Sequence, residues 1–375
     1  MQISIIAGAR PNFMKIAPII DAIKQKQKEG NDIQYRLIHT GQHYDKNMSG
    51  SFFEELGIPE PDVNLESGGG TQAEQTANIM IRFEKELIEH PADLVLVVGD
   101  VTSTLACSIV AKKLCIKVAH VEAGIRSRDL TMPEEINRMV TDSITDYFFT
   151  TSEMANRNLR HAGIPKEWIF FVGNTMIDTL LKQRPRFRKP EIWDKLGLKE
   201  KKYLIMTLHR PANVDEENKL KVLMDEIVNA AEPLPLIFPV HPRTAKILSG
   251  MGISYPRLYT IEPLGYLEFN YLVERARAVI TDSGGITEET TVMEIPCMTL
   301  RDSTERPETI TLGTNELLGT NPEAIKPAME KLFNGNWKKG ITPPLWDGKT
   351  AERIVAHIMN IFIPEERVQD LEKSY

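Results

Sequence analysis

Short apolar runs alternate with amphipathic stretches from the first residue onward. Runs at residues 3–8, 35–41, 94–99, 117–121, 147–150 and 169–172 are rich in Val, Ile, Leu or aromatic side chains, and most close on Gly, Asp, His or a hydroxyl residue. An apolar run ending in a turn former predicts a buried strand. Between the runs, apolar positions take helical spacing over 11–28, 73–89, 104–114, 133–145 and 153–162. A second series follows, with strands expected at 203–208, 236–240, 258–261, 278–281 and 298–300, and helices starting near Asp215, Arg243, Tyr266, Gly285 and Pro322. Strand, helix, strand repeated in this way predicts α/β architecture with parallel sheets covered on both faces.

The segment at 182–193, KQRPRFRKPEIW, holds two prolines and five basic residues with neither period, which reads as a linker. The chain therefore divides into an N-terminal domain over 1–180 and a C-terminal domain over 190–358, with no sequence repeat visible between them. Ligands of open parallel sheets sit at the carboxyl ends of the strands, so two such domains facing each other would hold a ligand in a central cleft. The residues that follow each strand are the candidates for chemistry.

Charge and cysteine content narrow that chemistry. Lys and Arg total 45 against 52 Asp and Glu, a net charge of −7, which argues against nucleic acid or an anionic membrane as the main partner. Any phosphate must be bound locally. Cys107, Cys115 and Cys297 are odd in number and form no CxxC pair, which speaks against a disulfide framework or a thiolate zinc site. The opening MQISIIAGARPNF is too short in apolar residues for a signal segment, and no run approaches the roughly 18 apolar residues of a membrane span. A cytoplasmic protein is expected.

At the first strand end, Gly8-Ala-Arg-Pro-Asn-Phe-Met-Lys15 opens a helix whose N-terminus is a ready anion site, with Arg10 beside it and Lys15 one turn in. The third strand runs into Gly99-Asp100, where the carboxylate is either a helix cap or a reactive group. The next strand ends His120-Val-Glu122-Ala-Gly124-Ile-Arg126, and Pro133-Glu134-Glu135 opens a helix whose dipole alone would favour acids there. Asp100, Glu122 and Glu134 are expected to converge at one rim of the sheet and to raise one another's pKa, as a proton-abstraction site requires.

The second half offers His209 and Arg210 after its first strand and His241 after its second. Then Thr281-Asp-Ser283-Gly284-Gly285-Ile-Thr-Glu288-Glu289 runs from a strand through two glycines into a helix. The glycines let backbone amides approach a diphosphate, Ser283 adds a hydroxyl, and Glu289 in the first helical turn could accept from ribose hydroxyls. Arg301 to Glu308 carries charge enough to wall an anionic ligand. The spacing His39-Thr-Gly-Gln-His43 could hold a metal, but no matched acids or cysteines accompany it, and neither metal nor cofactor is expected. Ser67-Gly-Gly-Gly70 is either a loop over the cleft or a turn before a helix.

Taken in order, GARPNFMKIAP, VVGDVTST, HVEAGIRS, MPEEINR, TLHRPANVD, PVHPRT and DSGGITEE, spread over Arg10 to Glu308, resemble the non-hydrolysing UDP-N-acetylglucosamine 2-epimerases. The resemblance implies two Rossmann-like domains of the glycosyltransferase-B type, with a last helix at about 360–375 packing back on the first domain, and a homodimer. It implies interconversion of UDP-N-acetylglucosamine and UDP-N-acetylmannosamine without metal or nicotinamide, by anti elimination of UDP to a 2-acetamidoglucal and re-addition, in the service of surface polysaccharide synthesis. By the same carry-over Asp100, Glu122, Glu134 and His209 are the catalytic set: the three carboxylates share the acid/base work on the two faces of C2, and His209 contacts the diphosphate or assists its departure. Arg10, Lys15, His241, Ser283, Gly284, Gly285, Glu289 and Arg306 hold UDP and the sugar.

The chain departs from the pattern in places. Many bacterial members read HRREN where this one has His209-Arg-Pro-Ala-Asn213, and the regions at 42–48 and 68–70 differ as well. Those regions line a second, activating substrate site in many bacterial members. Related enzymes epimerise UDP-2,3-diacetamido uronic acids, which is the alternative within the family. A glycosyltransferase of the same fold and a nucleotide-sugar sensor are the alternatives outside it, and the filled acid/base positions argue against both.

Overall fold

The structure, a computed structural model, describes residues 1–41, 53, 55–240, 244–245, 247–248 and 255–362, the side chains of 211 and 212 aside. The expectations at His43, at 42–48, at His241, at the helix start near Arg243 and at 363–375 lie outside these residues. The chain forms two compact units, Met1–Lys182 with the chain from Pro344, and Gln183–Pro343.

In the first unit, strands β1 (Gln2–Ala7), β2 (Gln34–His39), β3 (Val63–Asn64), β4 (Leu94–Val98), β5 (Lys117–Val121), β6 (Tyr147–Thr150) and β7 (Ile169–Phe171) form one sheet, ordered β3-β2-β1-β4-β5-β6-β7. Every pairing is parallel. All five residues of β4, Leu-Val-Leu-Val-Val, are buried, as a strand covered on both faces requires. Burying each such side chain is worth about 1.5–3 kcal/mol. Helices α1 (Arg10–Lys28), α2 (Gln72–Glu89), α3 (Thr102–Lys113), α4 (Pro133–Ile144) and α5 (Glu153–His161) lie in the crossovers, and α6 (Thr175–Gln183) follows the last strand. α2 starts at a capping box between Thr71 and Glu74, so the glycines before it lead into a helix start. β3 escaped the sequence reading because two residues are too few to show a period.

In the second unit, β8 (Leu204–Thr207), β9 (Leu236–Pro239), β10 (Leu258–Ile261), β11 (Ala278–Thr281), β12 (Cys297–Thr299) and β13 (Asn315–Leu317) form a parallel sheet ordered β10-β9-β8-β11-β12-β13. The helices are α7 (Glu191–Lys195), α8 (Pro211–Val214), α9 (Glu217–Ala231), α10 (Tyr266–Arg275), α11 (Gly284–Val292), α12 (Pro307–Thr311) and α13 (Ile325–Phe333). Leu220, Met224 and Ile227 of α9 share a core with Met206, Phe238, Ile280, Ile325 and Met329. The basic segment expected to be a plain linker is partly helical: α6 runs to Gln183, a 3-10 turn takes Arg184–Arg186, and α7 follows. Arg184 and Arg188 pair with Glu274 and Glu268 of α10, which gives this polar stretch a partner that periodicity does not reveal.

After Pro343 the chain rejoins the first unit, and helix α14 (Thr350–Phe362) packs on α1 with Ile354, Val355 and Ile358 buried. The sequence division carried the second domain on to 358. What draws the chain back earlier is local and aperiodic. Trp346 is 2% exposed and donates to the Thr151 carbonyl at 3.1 Å, while Asp178 accepts the first two amides of α14 at 3.1 and 2.7 Å. Among the described residues no helix is long and apolar enough to cross a membrane.

Gly173 marks the tightest point of this return. Its φ is +106°, and an added Cβ would stand 2.1 Å from the Leu345 carbonyl oxygen and 2.7 Å from Thr350 Oγ1. Gly173→Ala is expected to destabilise the protein by more than about 1 kcal/mol, read as a lower thermal midpoint. An unchanged midpoint would show that the returning strand does not seat here.

Candidate active site

Each sheet reverses its strand order once, between β1 and β4 in the first unit and between β8 and β11 in the second. Neighbouring strands there send their crossovers to opposite faces and open a crevice at their carboxyl ends. Several of the described candidates, Arg10, Lys15, Asp100, His209 and Ser283 to Gly285, follow the strands at these two points.

In the first unit Asn12 builds the floor. Its Oδ1 accepts the Gly8 and Ala9 amides at 3.2 and 3.0 Å, and its Nδ2 donates to the Val98 carbonyl at 3.0 Å, tying the end of β1 to the end of β4. That sets Arg10 in the exposed first turn of α1 and turns Lys15 inward, where Nζ meets Glu122 Oε2 at 2.7 Å. A Cβ placed on Gly99 would lie 3.4 Å from Lys15 Nζ, 3.5 Å from Asn12 Nδ2 and 3.8 Å from Glu122 Oε2, so these three groups surround the residue before Asp100. Glu122 is 4% exposed and holds φ +69°, a conformation that costs a residue with a β-carbon roughly 1–2 kcal/mol. Strain of this kind persists where surrounding contacts over-determine it. Here the Glu122 and Ala123 amides both donate to the Phe149 carbonyl, at 2.9 and 3.1 Å.

Asp100 is not the cap of α3. Val101 holds that position, and the Asp100 carboxylate instead takes Arg138 Nε at 3.0 Å and Nη2 at 2.6 Å, both on Oδ2. Asn137 Nδ2 donates to the Asp100 carbonyl at 2.8 Å. Glu134 is half-buried one helical turn before Arg138, on the face of α4 that meets Asp100. Its neighbour Glu135 is buried and structural, accepting from the Ser127 and Arg128 amides and from Arg138 Nη1. The expected crowding of like charges is thus tempered by counter-charges, with Lys15 set against Glu122 and Arg138 against Asp100.

Below them, fully buried His120 bridges the Gly99 carbonyl at 2.8 Å and Asp142 at 2.7 Å. Asp142 also accepts Arg126 and the Gly124 amide. Burial opposes ionisation of Asp142, but His120 and Arg126 outweigh it and hold the carboxyl below the usual range. With that carboxylate ionised, both ring nitrogens of His120 face acceptors, Asp142 Oδ1 and the Gly99 carbonyl.

In the second unit His209 follows β8, and its Nδ1 lies 2.7 Å from Asp282 Oδ1 at the end of β11. Ser283 occupies the N-cap position of α11 without making a side-chain cap bond, so capping does not account for its hydroxyl. A Cβ on Gly285 would meet nothing within 4 Å, so packing within the protein does not demand a glycine there. Glu289 sits in the second turn of α11 and not, as expected, in the first, because the helix begins at Gly284. It is buried and accepts Tyr266 Oη at 2.7 Å. Arg306 is matched by Glu288 at 2.6 Å, and Arg301 by Glu305 at 2.7 Å, so the charged wall expected after β12 is internally paired.

A profile of the family described as UDP-N-acetylglucosamine 2-epimerase matches residues 25–359. The chain is 44% identical over 368 residues to a UDP-N-acetylglucosamine 2-epimerase of Methanocaldococcus jannaschii, spanning 95% of this chain and 98% of that protein. It is 38% identical over 332 residues to the UDP-2,3-diacetamido-2,3-dideoxy-D-glucuronate 2-epimerase of Pseudomonas aeruginosa, spanning 87% and 90%. The crystal structure of M. jannaschii UDP-GlcNAc 2-epimerase in complex with UDP-GlcNAc and UDP matches with TM-score 0.84 at 43% identity, over 96% of this chain and 99% of that one.

The chain belongs to the UDP-N-acetylglucosamine 2-epimerase family. It is an isomerase of two Rossmann-like units, of the glycosyltransferase-B fold type. Within this epimerase fold, sequence reasoning singled out the carboxylates, Lys15 and His209, and missed Arg138, which holds Asp100, Asp282, which holds His209, and Asn12, His120 and Asp142, which fix the backbone around them. His120, Asp142 and Asp282 are fully or nearly fully buried, at 0%, 3% and 0% exposure. For His120 and Asp282 a polar residue inside an apolar strand or just past its end was the available signal, whereas Asp142 lies within helix α4.

Burial, with a smaller contribution from Glu288, pushes the Glu289 carboxyl up to about 7 against the opposing bond from Tyr266. A folded-state value above the ordinary 4.5 means that the folded epimerase binds more protons between these limits. The contribution of Glu289 to stability therefore falls as pH rises from 4.5 to 7 and is level above. Glu289→Gln removes this slope, so thermal melts should show the variant gaining on the wild type between pH 5 and pH 8. Melting curves that stay parallel across that window would place the carboxyl in a solvated setting.

Proposed function

We propose that this chain interconverts UDP-N-acetylglucosamine and UDP-N-acetylmannosamine. The observation that carries the proposal is the pair of cation-matched carboxylates, Asp100 with Arg138 and Glu122 with Lys15, at the strand reversal of a member of this family. Carboxylates held by fixed cations suit abstraction of a weakly acidic C2 proton, provided the leaving group departs in the same process. One carboxylate takes the C2 proton, the C1–O bond breaks, and its electron pair leaves on the diphosphate, giving a 2-acetamidoglucal. Return of a proton to the other face and re-addition of UDP complete the inversion. Asp100, Glu122 and Glu134 share the proton work. Since Arg138 occupies Oδ2 of Asp100, Oδ1 is the oxygen this carboxylate offers to substrate.

The diphosphate falls to Arg10 and Lys15 in the first unit and to His209 and the amides at Gly284 and Gly285 in the second, and Ser283 and His241 are assigned to UDP on their motifs. Arg306, braced by Glu288, frames the site, and Glu289 takes the ribose hydroxyls. The open space beside Gly285 supports this reading, because a residue that packing leaves unconstrained is glycine where a ligand needs the backbone. The enzyme works in the cytoplasm and supplies an activated N-acetylmannosamine for surface polysaccharide synthesis.

A homodimer completes the reading. Ile81 and Ile88 of α2, and Ile136, Met139 and Val140 of α4 with Leu130 before it, stand 36–65% exposed on the two helices that flank α3. An apolar surface on two helices that flank a third suits a second copy of the chain. Sedimentation velocity checks this: Met139→Lys should shift a dimer to monomer, and a wild-type monomer at micromolar concentration would end the idea.

Incubation with UDP-N-acetylglucosamine in deuterated water tests the reaction itself. The expected outcome is deuterium at C2 with formation of UDP-N-acetylmannosamine. Asp100→Asn should lower turnover by roughly 10²-fold or more with UDP affinity nearly unchanged. Unlabelled substrate and no product would reject this sugar. The identity to the P. aeruginosa relative makes a UDP-2,3-diacetamido uronic acid the second reading, and the same assay with that sugar separates the two.

A further inference from the structure

Asp282 ends β11 as a carboxylate with 0% exposure, whereas the His209 side chain is 57% exposed. The two meet twice. Asp282 Oδ1 lies 2.7 Å from His209 Nδ1, and its two oxygens accept the His209 amide at 3.2 and 3.0 Å. Oδ2 also takes the Arg210 amide at 2.9 Å and Asn213 Nδ2 at 3.1 Å, while Arg210 Nε donates to the Asp282 carbonyl at 3.1 Å. The imidazole is thus anchored through one nitrogen and turned outward with the other.

We infer that Asp282 is the positioning residue of His209: it keeps a proton on Nδ1 and makes Nε2 the atom offered to the ligand. Burial works against ionisation of Asp282, but His209, the Arg210 amide and Asn213 together hold the carboxyl below the usual range. An ionised carboxylate only accepts, so the nitrogen facing it must carry hydrogen. Nε2 is then a lone pair in the neutral ring and a donor in the imidazolium, whose charge Asp282 balances. The inference rests on the epimerase reading only for what Nε2 does. There the imidazolium Nε2–H donates to the diphosphate oxygen that departs with the C1–O electron pair. Asp282→Asn can keep the backbone amides on its Oδ1 while its amide group faces Nδ1. The neutral ring then carries its proton on Nε2 and the imidazolium loses its counter-charge, so the charged donor to the departing diphosphate is lost and only a neutral one remains.

The test combines 15N NMR of the histidine ring in the full chain with steady-state kinetics. The wild-type ring should be protonated at Nδ1, and in Asp282→Asn that signature should pass to Nε2. The kcat of this variant should fall roughly 10²-fold or more with KM nearly unchanged, and adding His209→Gln should cost little further. A neutral ring protonated only at Nε2 in the wild type overturns the inference, a reading that needs no variant to fold. So does wild-type kcat in Asp282→Asn when His209→Gln is impaired. If His209→Gln keeps full kcat, the role of His209 in epimerisation fails, and the ring spectrum still decides how Asp282 holds it.

Discussion

Both sheets are parallel throughout, and this constraint organises the rest of the molecule. A parallel strand cannot return through a hairpin, so the chain leaves every strand at the same edge and crosses back through a helix or a long loop. All strand carboxyl ends therefore lie on one rim of each unit. Where strand order reverses, at β1 and β4 and again at β8 and β11, two crossovers diverge and leave room between them. Asn12 and Asp282 stand at these two points and do comparable work. Each is a buried polar side chain that ties the loop after one central strand to its neighbour.

Electrostatics follows from that placement. Carboxylates gathered at a rim would repel one another and resist ionisation, and the fold answers with cations brought from other elements. Lys15 comes from α1 to Glu122, and Arg138 from α4 to Asp100 and Glu135. In the second unit the same device pairs Arg306 with Glu288 of α11, while Arg301 and Glu305 pair within one loop. Glu289 is the contrast, a buried carboxyl held by a tyrosine hydroxyl instead of a cation, with its proton retained to about pH 7. Removing one partner of a buried pair leaves an uncompensated charge, which costs more than the pair contributes. The acid surplus that gives the chain its net charge of −7 coexists with local clusters of basic groups because position, not total, sets the field.

Most strands and helices of the core were legible because their burial is periodic. The run Leu-Val-Leu-Val-Val could be read directly as β4, and Pro133-Glu-Glu as the start of α4. The two-residue β3 and three-residue β13 were not, since their register comes from neighbouring strands. The return of the chain at Pro344 was placed too late because its anchors, Trp346 in the first unit's core and the Asp178 bonds to α14, are single contacts. Asp100, Glu122 and His209 stood out as polar residues just past apolar runs, whereas Arg138 and Asp282 lay inside motifs with no sign of what they would hold.

The sequence by itself determined the alternation of strand and helix, the family through its ordered motifs, and which residue types stand at strand ends. These are local properties, set by hydrophobic period and turn chemistry within a few residues. Tertiary structure alone decided the pairings that give those residues their chemistry. Lys15 and Glu122 are 107 positions apart, Asp100 and Arg138 are 38, and His209 and Asp282 are 73. No local spacing encodes such contacts, because strand order brings the partners together and burial then makes each charge seek its match.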